Sequence, residues 1–240
     1  MSEQGEEMPR ARFLKRAGAG IAATALAAGA SADPALAAGG ATPPPAADTP
    51  AEALTLLKTG NQRYMADKST CGPLTPRRLE LTQGQAPFAI VLGCSDSRVP
   101  IETIFDQVPG HIFAVRLAGN FVDDNGLGSI EYGVAVLHAK LILVLGHGSC
   151  GAVDSTLKLV KDGTPAPGHI AGILTAIEPA VKATKGMPGD WLNNAIAENV
   201  KQNAVAVAAR STIVSDAIKA GKLNVVGGVY HLHTGEVSFL

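Results

Sequence analysis

Residues 140–151 read Lys-Leu-Ile-Leu-Val-Leu-Gly-His-Gly-Ser-Cys-Gly, an uninterrupted aliphatic run that ends in a glycine-rich turn. A short apolar run bounded by turn residues predicts a strand that is buried on both faces, as in a parallel sheet. Runs of the same kind cover residues 88–93, 111–116 and 223–230, and residues 236–240 add a predicted edge strand. Helical patterns alternate with the strands. The sequence therefore predicts an α/β fold with a mostly parallel four-stranded sheet, an edge strand and helices on both faces.

The predicted helices lie between these strands. Helical periodicity and N-terminal signals indicate helices over residues 50–66, 129–138 and 152–161, and a long amphipathic helix over about 190–219. Residues 117–128 contain Gly-Asn and Asp-Asn-Gly turn signals, which predict a loop. No composition change marks a second folded unit, so we expect a single catalytic domain over residues 51–240.

The N-terminal residues have the composition of an export signal. Residues 1–37 contain a basic stretch at 10–16, a weakly apolar stretch at 17–30 and an Ala-Leu-Ala cleavage site at 35–37. Residues 10–15 are similar to a twin-arginine translocation signal, although Ala11 replaces the second arginine. Residues 38–50 form a Pro/Ala/Gly-rich linker. We expect a periplasmic or secreted protein that meets the membrane only during export, with an uncleaved tail as the alternative.

The composition excludes some classes of partner. Apolar residues make up 46% of the chain, which is enough for a buried core, and the net charge is −1. Because nucleic-acid binding requires clustered Lys and Arg, and no such cluster stands out, we expect no nucleic-acid partner. The three cysteines cannot all be paired with one another, so a disulfide framework is not expected.

Two of these cysteines suggest a metal site. Cys94 follows one predicted strand, and His147 and Cys150 follow another. Open α/β sheets place ligand sites at the carboxyl ends of their strands. Two thiolates and one imidazole suit tetrahedral zinc, and three protein ligands leave one position open, as in catalytic zinc sites. Asp96 and Arg98 lie close to Cys94. The carboxylate has two alternative roles, as a metal ligand or as a proton acceptor from metal-bound water, with Arg98 holding it by paired hydrogen bonds.

Four motifs occur in a consistent order: Cys94-Ser-Asp-Ser-Arg-Val99, Arg116-Leu-Ala-Gly-Asn120, Ser129-Ile-Glu-Tyr-Gly133 and Gly146-His-Gly-Ser-Cys-Gly151. Together they resemble those of the β-class carbonic anhydrases, over roughly residues 50–240. The resemblance implies that fold, built as a homodimer or higher homo-oligomer with the active site at the subunit interface. It also implies Zn²⁺ held by Cys94, His147 and Cys150.

The activity that the resemblance implies is the reversible hydration of CO2 to bicarbonate and a proton by metal-hydroxide attack. Asp96 would accept a hydrogen bond from zinc-bound water with Arg98 as its partner, or would occupy the fourth zinc position in a closed form. The substrate-pocket residues that it implies are Gln85, Phe113, Ala118 and Tyr132. Two alternative functions remain open from sequence, namely a CS2 or COS hydrolase on the same scaffold and a non-catalytic zinc-binding protein.

Overall fold

The computed structural model describes residues 47–72 and 74–240. The predicted signal at 1–37 and most of the predicted linker at 38–50 lie outside these residues. Within the described part of the chain, no helix has the length and hydropathy needed to cross a membrane.

The five strands occur along the chain where the sequence predicts them, with helices between the first four. The strands are β1 (Ala89–Cys94), β2 (Ile112–Leu117), β3 (Leu141–His147), β4 (Asn224–Tyr230) and β5 (Val237–Phe239). The helices are α1 (Pro50–Met65), α2 (Leu74–Glu80), α3 (Ile101–Ile104), α4 (Asp124–Ala135), α5 (Gly151–Asp162), α6 (Ile170–Ala183), α7 (Trp191–Arg210) and α8 (Thr212–Lys219). A single 3₁₀ turn, Leu81–Gln83, follows α2.

The sheet has the strand order β2-β1-β3-β4-β5. The strands β2, β1, β3 and β4 are parallel to their neighbours, whereas β5 pairs antiparallel with β4. Every residue of β1 and β3 is buried, as their aliphatic sequences predict. The expected mostly parallel four-stranded sheet with an added edge strand is therefore confirmed.

Helices cover both faces of the sheet. Val91 and Leu143 pack on one face in a cluster with Leu57 of α1 and Phe105, which directly follows α3. The opposite face has its own cluster of alternate strand residues and residues from α4, α7 and α8: Ile90, Leu92, Ile142, Val144, Ile130, Val200 and Val214. This two-sided burial follows from the side-chain alternation of a strand, and it confirms the predicted helices on both faces.

Two of the helix and loop predictions need correction. The expected continuous helix over 190–219 is two helices, because Ser211 is extended and its side chain caps α8 by accepting a hydrogen bond from Val214 N. Ser211 also donates a hydrogen bond to Glu131 of α4 at 2.7 Å, which holds the break in place. Helix α4 begins at Asp124, inside the predicted loop, since the Asp123 carboxylate caps it through Gly126 N. Helices α2, α3 and α6 were not predicted.

A buried carboxylate fastens the segment after α1 to the end of α3. Asp106 has a positive φ of 45° and a fully buried side chain. Its carboxylate accepts hydrogen bonds from the Arg63 guanidinium, the Ser69 hydroxyl, the Thr70 main chain and hydroxyl, and the Cys71 thiol. Desolvation opposes the charge, but these donors together hold the pKa of Asp106 well below its usual range. The ionised carboxylate is thus the centre of a local polar cluster.

Candidate metal centre

The three candidate ligands converge at one edge of the sheet. Cys94 is the last residue of β1, and His147 is the last residue of β3, its neighbour in the sheet. Cys150 is the N-cap residue of α5, three positions further along the chain. One ligand atom from each of these residues lies within 4.8 Å of the other two, and all three side chains are buried. Because β1 and β3 pair in parallel, Cys94 and His147, which are 53 positions apart in the sequence, lie side by side.

The imidazole of His147 is oriented for coordination. Its Nδ1 donates a hydrogen bond to the Gly148 carbonyl at 2.9 Å, which leaves the lone pair on Nε2. Nε2 is buried and has no hydrogen-bond partner among the described residues. A buried polar atom without a partner is costly. An uncompensated nitrogen beside two thiols fits a metal ligand, so the donor set and its geometry suit a metal ion.

Ionisation of the two thiols is coupled. The neighbouring Cys150 thiol, and then the His147 imidazole and the Gly119 N–H, lower the pKa of the Cys94 thiol despite its burial. The pKa of Cys150 is raised, because Cys94 carries the negative charge first and Cys150 is itself buried. Burial opposes protonation of His147, but the Cys94 thiolate, the Gly148 carbonyl and the nearby carboxylate of Asp96 outweigh this and raise its pKa. A cation held by the three donors would take the place of these protons and neutralise the thiolates.

Asp96 and Arg98 form a paired unit beside the cluster. Arg98 Nε donates to Asp96 Oδ1 at 3.0 Å and Nη2 donates to Oδ2 at 2.8 Å, while the Arg98 main-chain N–H adds a third bond at 2.9 Å. The Arg98 side chain holds the pKa of Asp96 well below its usual range. Asp96 Oδ2 lies 3.8 Å from His147 Nε2. The structure therefore places an ionised, oriented carboxylate next to the three candidate ligands.

Arg116 has a contact that sequence reasoning did not find. Its guanidinium donates from Nε to the Cys94 carbonyl at 3.0 Å and from Nη2 to the Asp96 carbonyl at 2.7 Å. The main-chain N–H of Gly119, three residues later, donates to Cys94 Sγ at 3.2 Å. The Arg116–Asn120 motif thus supports the backbone and the sulfur of the first ligand. The signal in the sequence was the position of Arg116 at the end of β2, which pairs with β1.

The predicted pocket residues are divided between two places. Phe113 and Tyr132 lie with their ring centroids 6.2 Å apart, and Ala118 follows β2 directly. Phe113 and Arg116 both line an open cavity of about 350 Å³ along β2. Gln85 instead lines a separate depression of about 430 Å³, formed by the 3₁₀ turn and Gly110. Within one chain, Gln85 is therefore not assembled with the thiols and the imidazole.

Comparisons with known proteins agree with this geometry. The family described as carbonic anhydrase matches residues 89–237. The carbonic anhydrase of Mycolicibacterium smegmatis is 40% identical over 193 residues, which cover 78% of this chain and 92% of the relative. Carbonic anhydrase 2 of Mycobacterium tuberculosis is 39% identical over 191 residues, covering 78% and 90%. Among solved structures, a tetrameric β-carbonic anhydrase of Sordaria macrospora has a TM-score of 0.62 at 26% identity, covering 76% of this chain and 93% of that one.

Proposed function

Because the chain belongs to the β-class carbonic anhydrase family, and is a carbonic anhydrase, we propose that it hydrates CO2 reversibly to bicarbonate and a proton at a zinc ion held by Cys94, His147 and Cys150. The single observation that carries this proposal is the buried convergence of the three donors, with the lone pair of His147 Nε2 left without a partner among the described residues.

The donor chemistry favours zinc. Soft thiolates together with an imidazole suit this borderline metal, and a site with three protein ligands keeps one position open for chemistry. When bound, zinc would supply the Lewis acidity that makes a water molecule nucleophilic at neutral pH. The chain supplies a buried site for it, with one ligand nitrogen oriented by the Gly148 carbonyl.

Asp96 orients the attacking water in this proposal. Its carboxylate stays ionised, and Arg98 fixes the plane of its two oxygens. Each oxygen retains lone-pair capacity, so Asp96 accepts a hydrogen bond from the water and directs the water's free lone pair towards CO2. The alternative role of Asp96, as a fourth metal ligand in a closed form, requires the carboxylate to give up bonds from Arg98.

The pocket and the oligomer belong to the same proposal. Gln85 does not reach the candidate ligands within one chain. We infer that it joins the site from a neighbouring subunit, while Phe113, Ala118 and Tyr132 provide apolar surface for CO2. The relative from Sordaria macrospora is described as tetrameric, which supports a homo-oligomer here. The composition of residues 1–37 supports export to the periplasm or beyond.

Stopped-flow CO2 hydration by zinc-quantified protein tests the proposal. Cys150→Ser should lose both stoichiometric zinc and turnover. Asp96→Asn and Arg98→Ala should keep their zinc and turn over at least about tenfold more slowly, as is typical when a group that orients the metal site is lost. The matched control is Asp154→Asn, which removes an exposed carboxylate paired with Lys158 and should leave turnover unchanged.

The outcomes separate the competing functions. Normal turnover in Asp96→Asn would remove the orienting role of that carboxylate. Stoichiometric zinc with no CO2 turnover in the parent protein would contradict the proposal and lead to assays with CS2 and COS. If those substrates were also inert, the protein would be a non-catalytic zinc binder.

A further inference from the structure

A chain of buried amides connects helix α7 to the sulfur of Cys94. The turn between β2 and α4 contains Gly119, whose N–H donates to Cys94 Sγ at 3.2 Å. The Gly119 carbonyl accepts a hydrogen bond from Asn199 Nδ2 at 2.8 Å. Asn199 lies in the middle of α7 and is 1% exposed. Two hydrogen bonds thus lead from this asparagine, through one glycine, to the first candidate ligand.

The orientation of the Asn199 amide follows from a main-chain donor. Val122 N–H must donate, and it does so to Asn203 Oδ1 at 2.9 Å. The Nδ2 of Asn203 therefore faces the preceding turn of the same helix. There it donates to the Asn199 main-chain carbonyl at 2.8 Å and to Asn199 Oδ1 at 3.1 Å. Asn199 must therefore present its NH2 group to Gly119, since its oxygen is already engaged. The donor direction is fixed by the network.

Helix formation alone does not explain why α7 contains buried asparagines at positions 199 and 203. Asparagine is a weaker helix former than alanine, and burying an amide costs free energy unless it is hydrogen-bonded. Asn199 contacts a turn 80 positions away in sequence. Gly119 has a φ of +84°, and a Cβ there would overlap Ile177, so the turn leaves no room for a side chain. The polar residues of α7 therefore hold a turn that only glycine can form.

We propose that Asn199 is a positioning residue for the Cys94 ligand: it holds Gly119 so that the glycine N–H stays on Cys94 Sγ. This role rests on the metal site of the proposed function. A hydrogen bond to a thiolate stabilises its charge and fixes its direction, as partners outside the ligand shell do at other metal sites. Losing the bond leaves a sulfur that is less well placed and donates more electron density to the ion.

Cobalt and zinc binding test this role without reference to turnover. In Asn199→Ala we expect at least about tenfold weaker binding of both ions in competition with a chelator. The sulfur-to-cobalt charge-transfer band should move to longer wavelength, because a thiolate without its N–H donor is easier to oxidise. Asn199→Asp keeps the volume and removes the donor, so it should show the same changes if the alanine variant is poorly folded.

The matched control lies on the same helix. Asn194 is partly exposed and donates to the Pro188 carbonyl at 3.0 Å, so Asn194→Ala removes one amide–carbonyl bond away from the site. It should retain the parental band and affinity. If both Asn199 variants lost stability to urea but kept the parental band and affinity, Asn199 would be a packing residue only. A parent protein that bound neither ion would overturn the proposed metal site and the positioning role together.

Discussion

His111 should make the stability of this protein depend on pH. The imidazole is 6% exposed and packs against Phe88 with ring centroids 6.2 Å apart. Its Nδ1 lies 3.0 Å from Gln107 Oε1, whereas its buried Nε2 has no partner among the residues that the structure describes. Burial, and then the positive charge of Arg77, lowers the pKa of His111 to about 4. A proton on Nε2 would therefore be an unpaired buried charge.

The sign and size of the effect follow from the two pKa values. The unfolded chain takes up a proton near a pKa of about 6.5, and the folded protein does so only near 4. Between these values the unfolded state binds more protons, so the free energy of unfolding falls as the pH falls. From pH 7.5 to 5.0, His111 alone should remove up to about 2 kcal/mol of stability.

Urea unfolding followed by circular dichroism checks this value. His111→Gln removes the titrating group and retains an amide donor beside Gln107. The parent should lose about 2 kcal/mol more than the variant between pH 7.5 and 5.0. Between pH 7.5 and 9.0 the two proteins should change in parallel. Both are measured with the same metal content, so metal release cancels in the comparison. Parallel pH dependence across the acidic range, within about 0.5 kcal/mol, would refute the reasoning.

Two further predictions concern the framework around the site. Asp106→Asn keeps a residue that tolerates positive φ but removes a buried charge that accepts several hydrogen bonds. Urea unfolding should show that its free energy of unfolding is about 3 kcal/mol lower than that of the parent. The control Asp216→Asn, at an exposed ion pair, should lower the free energy of unfolding by less than about 0.5 kcal/mol. Gly60→Ala should destabilise by about 2 kcal/mol or more, because the added Cβ would overlap the Phe105 carbonyl. Gly172→Ala, in open space within α6, should instead stabilise by up to about 1 kcal/mol. Effects of the same sign at both glycines would contradict this packing argument.

The sheet was predictable because its signal is local. Each central strand is a continuous aliphatic run, and β1 and β3 each end at a candidate ligand. Because the carboxyl ends of parallel strands meet at one edge of the sheet, the sequence alone indicates that Cys94 and His147 lie close together. The convergence of Cys94 and His147 follows from the pairing of β1 with β3, and Cys150 lies three residues beyond His147.

The helices were less predictable for physical reasons. Helix α6 contains Gly172 and Pro179, two residues that ordinarily argue against a helix interior, and tertiary packing of Leu174 and Ile177 overrides them. The break at Ser211 falls inside a stretch that the sequence predicts as one helix. Ser211 caps α8 and also donates to Glu131 of α4, 80 positions away, a contact that local sequence does not reveal.

The main-chain groups that support the site could not be identified from the sequence. Arg116 donates to two main-chain carbonyls, and Asn199 donates to a third. A carbonyl is present at every position, so such a contact leaves no residue-type pattern at its acceptor. The ligands of the site are specified by residue type, whereas its supporting hydrogen bonds are specified by the fold.

One of these supports bears on whether Asp96 orients water or coordinates the metal. Arg98 Nη2 binds the Asp96 carboxylate and also donates to the Ser149 carbonyl at 3.3 Å. Ser149 lies between His147 and Cys150 in the chain. Ser149 has a φ of +53°, an uncommon conformation for serine, which accompanies this contact. Arg98 is therefore held from two sides and cannot follow the carboxylate inwards without losing the Ser149 bond. Within the proposed function, this second bond of Arg98 supports the carboxylate as an acceptor for water rather than as a fourth ligand.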